Sequence, residues 1–226
     1  MKKLFNTLLI TLFLIPTLST ATFCKVTPKA SYIKKKGLSS KMNFLEKRQV
    51  IAKKQMTKKD FYILELAKKA AKECALQLET AIDNKIKTEN EIFAHLYFPI
   101  FPLTTPRTFN TFYDDYTDIE ITPIEDKYLA KNKSIVFVVL VDINGYLPSH
   151  NTKFCKQENK TVSNNRTKRI FNDITGYRAA QNKKEFLLQI YSRDTGEIMA
   201  DMSVPVYVKG KHWGGLRIGY NRDHIK

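Results

Sequence analysis

Arg166 and Arg169 stand three positions apart, the spacing that puts two side chains on one face of a helix. Two guanidinium groups presented together would clamp a carboxylate or a phosphate through charge-assisted hydrogen bonds. On a solvated face the same pair would instead form ion pairs with Asp173 and Asp201. Both arginines lie in the stretch from Pro148 to Glu185, which holds the densest polar set of the chain: His150, Asn151, Asn164, Asn165, Lys168 and Asp173. Further on, Tyr191, Arg193, Asp194 and Asp201 either line the open face of a sheet or occupy its hydrated side. His212-Trp213 is a packing pair at the mouth of the last strand rather than a ligand.

Catalytic patterns are absent from this set. The four histidines, His95, His150, His212 and His224, form neither HExxH nor HxH, so no metal site is expected. No GxSxG marks a serine nucleophile, and no local cysteine–histidine signature marks a thiol one. Gly210, Gly214 and Gly215 precede no helix and cannot form a phosphate loop. Carboxylates are plentiful, but no spacing singles out an acid–base pair. The residues therefore point to binding rather than to catalysis, and to no cofactor.

The elements that must position these residues follow from periodicity. Phe61, Leu64, Lys68, Ala71, Cys74, Leu78 and Ile82 recur at steps of three and four, which predicts one long amphipathic helix from about Lys58. Thr88 and Glu91 form a capping box opening a short second helix through Tyr97, ended by Pro99 and Pro102. Prolines, aromatics and the acids Asp114, Asp115, Asp118 and Glu120 then suit a packed loop from Ile100 to Glu125. The run 134–142 is β-branched and apolar on both faces, which predicts a central strand. It ends in the turn dipeptide Asn144-Gly145. Three strands close the chain: Phe186–Tyr191, Ile198–Val208 and Trp213–Tyr220, with turns at 193–197 and 209–211. Pro205 assigns the second of these to an edge or a bulge. The plan is α+β, a long N-terminal helix packed on an antiparallel sheet.

The chain has 226 residues and a formal charge of +16, a balance that suggests nucleic acid until its placement is read. Lys25 to Asp60 holds twelve of the basic residues against two acids, while Phe61 to Lys226 carries a net charge of only +4. The basicity belongs to an arm, residues 22–57, which is either a solvated linker or an attachment to a polyanionic or membrane surface. The folded part, 58–226, is nearly balanced and its aromatics sit at core positions, so nucleic acid is not expected as a partner. Lys2 and Lys3, the apolar stretch Leu8–Leu18 and the small residues Ser19-Thr20-Ala21 read as a secretory signal over 1–21. That stretch is shorter than the roughly 20 residues of a spanning helix, which favours cleavage over an uncleaved anchor and a periplasmic or secreted product. Cys24, Cys74 and Cys155 have no metal spacing. Two could pair, and Cys74 on an apolar helix face reads as a small buried hydrophobe.

Four ordered blocks carry a resemblance. Asp142-Ile-Asn-Gly-Tyr-Leu-Pro-Ser-His-Asn151, Asn165-Arg-Thr-Lys-Arg-Ile-Phe-Asn-Asp173, Leu188-Gln-Ile-Tyr-Ser-Arg-Asp-Thr-Gly-Glu197 and Val204-Pro-Val-Tyr-Val-Lys-Gly-Lys-His-Trp-Gly-Gly-Leu-Arg-Ile-Gly-Tyr220 resemble the extracytoplasmic sensor region of bacterial methyl-accepting chemotaxis proteins, a Cache-type, PAS-like domain. The match covers Asp142 to Tyr220 and reaches more loosely back to Phe61. It implies a single sensor domain that binds a small molecule between sheet and helical insertion, and passes the signal to a membrane-bound partner. Arg166 and Arg169 would then hold an anionic group, and Asp201 or Asp194 a cationic one. Tyr191 and Trp213 would form an aromatic wall, with His150 and Asn151 at the rim. The chain departs from the pattern at Phe154–Val162, where Cys155 replaces a small polar residue. It reaches Lys226 without the second span and signalling tail of those receptors, so no signalling output of its own is expected. It also lacks the CxxCH of haem-bearing relatives.

Overall fold

The computed structural model describes residues 49–155, 166–192 and 198–222. The signal-like segment, the arm up to residue 48, Asp194 and the 193–197 turn lie outside these residues.

The long helix α1 runs from Lys58 to Asp83. Thr57 starts it with a reciprocal capping box: its hydroxyl accepts from Asp60 N–H, and the Asp60 carboxylate accepts from Thr57 N–H. Its buried stripe is Ile63, Leu64, Ala67, Ala70, Ala71, Cys74, Leu78 and Ala81. Phe61, counted on that stripe by spacing, is exposed, because Asp60 takes the inward position beside it. There Asp60 accepts hydrogen bonds from the Tyr220 hydroxyl and from Arg222. Burial raises the Asp60 pKa, but the Tyr220 hydroxyl, Thr57 N–H and Arg222 outweigh it and hold the carboxyl below its usual range. Cys74 is fully buried, and burial pushes its thiol pKa up.

The main sheet is antiparallel, with β4 (Ile135–Asp142), β7 (Leu187–Ser192), β8 (Ile198–Val208) and β9 (Lys211–Asn221). The two-residue strand β1 (Gln49–Val50) joins at one edge, giving the order β1-β7-β8-β9-β4. Residues 49–57, assigned to the arm on composition, therefore pack on the body: β1 pairs with β7 and Ile51 is buried. Val138 and Leu140 of β4, Leu216, Ile218 and Tyr220 of β9, Ala200, Met202 and Val204 of β8 and Leu188 of β7 form the core with α1. Pro205 lies in an interior strand, yet β7 pairs only with residues 198–203 of β8. Among the described residues, Val204–Val208 thus has no strand partner on the β7 side, where a missing N–H costs no ladder bond. Lys209 and Gly210 both have positive φ, the geometry of a tight two-residue hairpin turn.

The strand 135–142, expected at the centre of the sheet, closes it at the far edge. Its apolar character on both faces has another cause, because helices and loops cover it. Two short helices, α3 (Asp114–Glu120) and α4 (Thr122–Leu129), stand where a packed loop was expected. The acidic cluster there begins a helix: Asp114 and Asp115 lie in its first turn, where the helix dipole favours negative charge. Side chains satisfy two outward N–H groups of β4, Glu125 Oε1 accepting from Leu140 N–H and Asn151 Oδ1 from Val138 N–H. Side-chain capping of this kind blocks pairing at an exposed edge.

Glu125 is fully buried. Its Oε1 also accepts from Ser149, while Oε2 has no partner. Burial raises its pKa well above the usual carboxyl range. The folded state therefore holds a proton that the unfolded chain releases above its ordinary pKa, and stability falls by about 1.4 kcal/mol per pH unit between the two pKa values. Glu125→Gln keeps the acceptor and removes the titration. Its melting temperature should match the wild type near pH 4 and exceed it by several degrees at pH 8; a constant offset across that range would refute the assignment.

The capping box at Thr88 forms as expected, but the helix it opens, α2, ends at Ile92 rather than Tyr97. The Trp213 indole N–H donates to the Ile92 carbonyl, and Tyr97 is drawn away by Asp142, which accepts from its hydroxyl. Beyond α2, β2 (Phe98–Pro99) and β3 (Phe109–Asn110) form a small hairpin. β5 (Tyr146–Leu147) pairs with β6 (Arg169–Ile170). Two helices complete the insertion, α5 (Thr152–Cys155) and α6 (Ile174–Ala180).

Candidate functional site

Side chains alternate across a strand, so the sheet face turned away from α1 is set by register. Phe137, Val139 and Val141 of β4 lie opposite Gly219, Arg217 and Gly215 of β9; Gly219 and Arg217 in turn lie opposite Asp201 and Ser203 of β8. The insertion folds over this face and leaves a pocket of about 210 Å³. Phe137, Val139, Val141, Leu147 and Phe171 supply its apolar lining. His150, Arg166, Asp173, Thr175, Tyr191 and Arg217 supply the polar groups.

The floor is ionic. Arg217 donates through Nε and Nη2 to Asp201 Oδ2 at 3.1 and 2.6 Å, and both residues are buried. Burial opposes the Arg217 charge, but Asp201 overcomes it and raises the guanidinium pKa. Gly219 makes room for the Phe137 ring on this face, since a Cβ there would overlap it. On the cover, Asp173 caps α6, its Oδ1 accepting from the N–H groups of Thr175 and Gly176. Gln189 ties the cover to the sheet by donating to the Thr175 carbonyl.

His150 is 3 % exposed and stacks edge-on against Phe154, with its Nδ1 unpartnered. Burial, then the charges of Arg166 and Lys153, push its pKa down to about 3, so the imidazole is neutral at physiological pH. Burial pushes the neighbouring Cys155 thiol, which donates to the His150 carbonyl, up to about 11. That shift leaves it a poor nucleophile.

The residues singled out from sequence divide at this pocket. His150, Arg166, Asp173 and Tyr191 line it. Arg166 and Arg169 do not share a helix: Arg169 is in β6, after Lys168 with φ of 62°. A positive φ breaks any helical run, and Arg169 lies over the Phe171 ring. The two cations remain in electrostatic reach, as burial and then Arg166 lower the Arg169 pKa. Asp201 lies beneath the lining as the partner of Arg217, not of Arg166 or Arg169. Asn151 is occupied at the β4 edge, accepting from Val138 and donating to Asp126. Trp213 does not line this pocket; it is a core residue, edge-on to Tyr113. Asp194 lies outside the described residues.

Arg217, Phe137, Phe171 and Thr175 join the site without having been singled out. A signal for Arg217 existed, an arginine between Leu216 and Ile218 in a strand otherwise reading as core. Its partner in the preceding strand could be found only with the register. Among the described residues, no cluster of three or more metal-ligating side chains occurs, and no helix is long and apolar enough to cross a membrane. No protein-family model and no curated protein matches the chain.

Proposed function

We propose that this chain is a small-molecule-binding sensor module of the Cache, PAS-like kind, acting outside the cytoplasm. The observation that carries the reading is the pocket between sheet and insertion. It combines an apolar lining with a few convergent polar groups, the usual composition of a ligand site. The ion pair at its base leaves no net charge there, so selectivity falls to the rim. Arg166 faces a carboxylate of the ligand, Asp173 a cationic or donor group, and Tyr191 and Phe171 the ligand's body. No bond-making step is proposed, since the neutral His150 and the high-pKa Cys155 are poorly suited to one. A pocket of about 210 Å³ limits the ligand to the size of a small metabolite. Occupancy would be read by a membrane-bound signalling partner, and nucleic acid has no part in this function.

The test is a thermal-shift screen of amino acids, organic acids, amines and nucleobases. A ligand at a hundred times its dissociation constant adds about 2.7 kcal/mol, roughly 5–10 °C in a domain of this size. Arg166→Ala should abolish the shift caused by a carboxylate ligand while leaving the unliganded melting temperature within a degree or two, because Arg166 is exposed. A retained shift removes Arg166 from the site, and no shift with any compound counts against the sensor reading.

A further inference from the structure

The β2–β3 hairpin presents an unusual surface. Its ladder runs from Phe98–Asn110 and Pro99–Phe109 to the bond from Ile100 N–H to the Thr108 carbonyl, leaving 101–107 as the tip. Phe101 is 76 % exposed and Leu103 52 %. Phe98 and Phe112 are also exposed and pack edge-on against each other. Leu96 precedes them, exposed as well. From Leu96 to Tyr113 there is no carboxylate, and Arg107 is the one charge. Pro99, Pro102 and Pro106 have no N–H to leave unsatisfied. The Thr104 hydroxyl donates to the Pro106 carbonyl within the tip.

We propose that this hairpin is a lipid-docking surface that inserts into the interface of an anionic membrane. Aromatic and aliphatic side chains enter the boundary between headgroups and acyl chains, and an adjacent cation meets the anionic headgroups. The bonded Thr104 hydroxyl and the prolines' missing N–H groups lower the number of polar groups that must leave water. Charge favours lipid over a second copy. A symmetric contact between two hairpins would oppose two Arg107 side chains with no carboxylate in the patch to separate them. The inference is independent of the pocket and of the arm.

Phe101→Trp in the full chain tests it. The one native tryptophan, Trp213, is fully buried and serves as the reference. With vesicles of phosphatidylglycerol and brominated phosphatidylcholine, the indole at 101 should be quenched and blue-shifted, while wild-type emission stays unchanged. Arg107→Ala should weaken the vesicle binding read by this quenching about fivefold, the loss expected for one surface cation. Vesicle binding without quenching at 101 would mean that other segments hold the lipid, and would overturn the proposal. Self-association abolished by Phe101→Asp, again without quenching, would overturn it in favour of a contact between copies.

Discussion

Arg217→Ala is expected to lower stability by about 3–5 kcal/mol, because it leaves the Asp201 carboxylate buried with its cation gone. The melting temperature should fall by roughly 10 °C or more. The physical cause is desolvation. Asp201 has no exposure to solvent, and Arg217 is its cationic partner on β9. The double variant Arg217→Met, Asp201→Leu separates this cause from lost packing. Removing both charges should recover most of the stability, since well-packed apolar pairs commonly equal a buried ion pair. Equal losses in the single and double variants would show that the pair acts through packing alone.

Acid should destabilise the protein through His150, and His150→Phe should remove that sensitivity. In the unfolded chain the imidazole titrates near 6.5, whereas in the fold its pKa is pushed down to about 3. Between these values the unfolded state binds a proton that the folded state refuses. Stability is therefore fully present above about pH 6.5 and is lost as pH falls toward 3, by about 1.4 kcal/mol per pH unit. Phenylalanine suits the aromatic surroundings of Phe137 and Phe154 and has no Nδ1 to leave unpartnered. Urea unfolding at a series of pH values should show a stability difference between wild type and variant that changes by about one proton between pH 6 and pH 4. A flat difference would mean that His150 is solvated or paired in the folded state. Glu125 has the opposite slope, losing stability as pH rises, so the two variants together separate the acid and alkaline arms of the stability profile.

Buried polar groups also mark the limit of what the chain revealed on its own. The three-and-four spacing of α1, the capping box at Thr88, the hairpin turn at Lys209-Gly210 and the strand runs of β7, β8 and β9 are local. They depend on neighbours within a turn or a pleat, so they are legible in the sequence. Three readings failed for a common reason. Strand 135–142 was expected at the centre of the sheet because its apolar faces show that it is covered, not by what. The acids of α3 looked like a loop, and Arg166 and Arg169 looked like one helical face, because type and spacing carry no information about a positive φ at Lys168.

The sequence by itself determined an α+β body with one long helix and an antiparallel meander, and it singled out four residues, His150, Arg166, Asp173 and Tyr191, that meet at one pocket. Tertiary structure alone decided that Arg217 pairs with Asp201, that Glu125 and Asn151 seal the edge of β4, and that Trp213 belongs to the core. Such partnerships join residues distant in the chain, and they exist only once strand register brings the groups within hydrogen-bond reach and burial removes the water that would otherwise serve each of them.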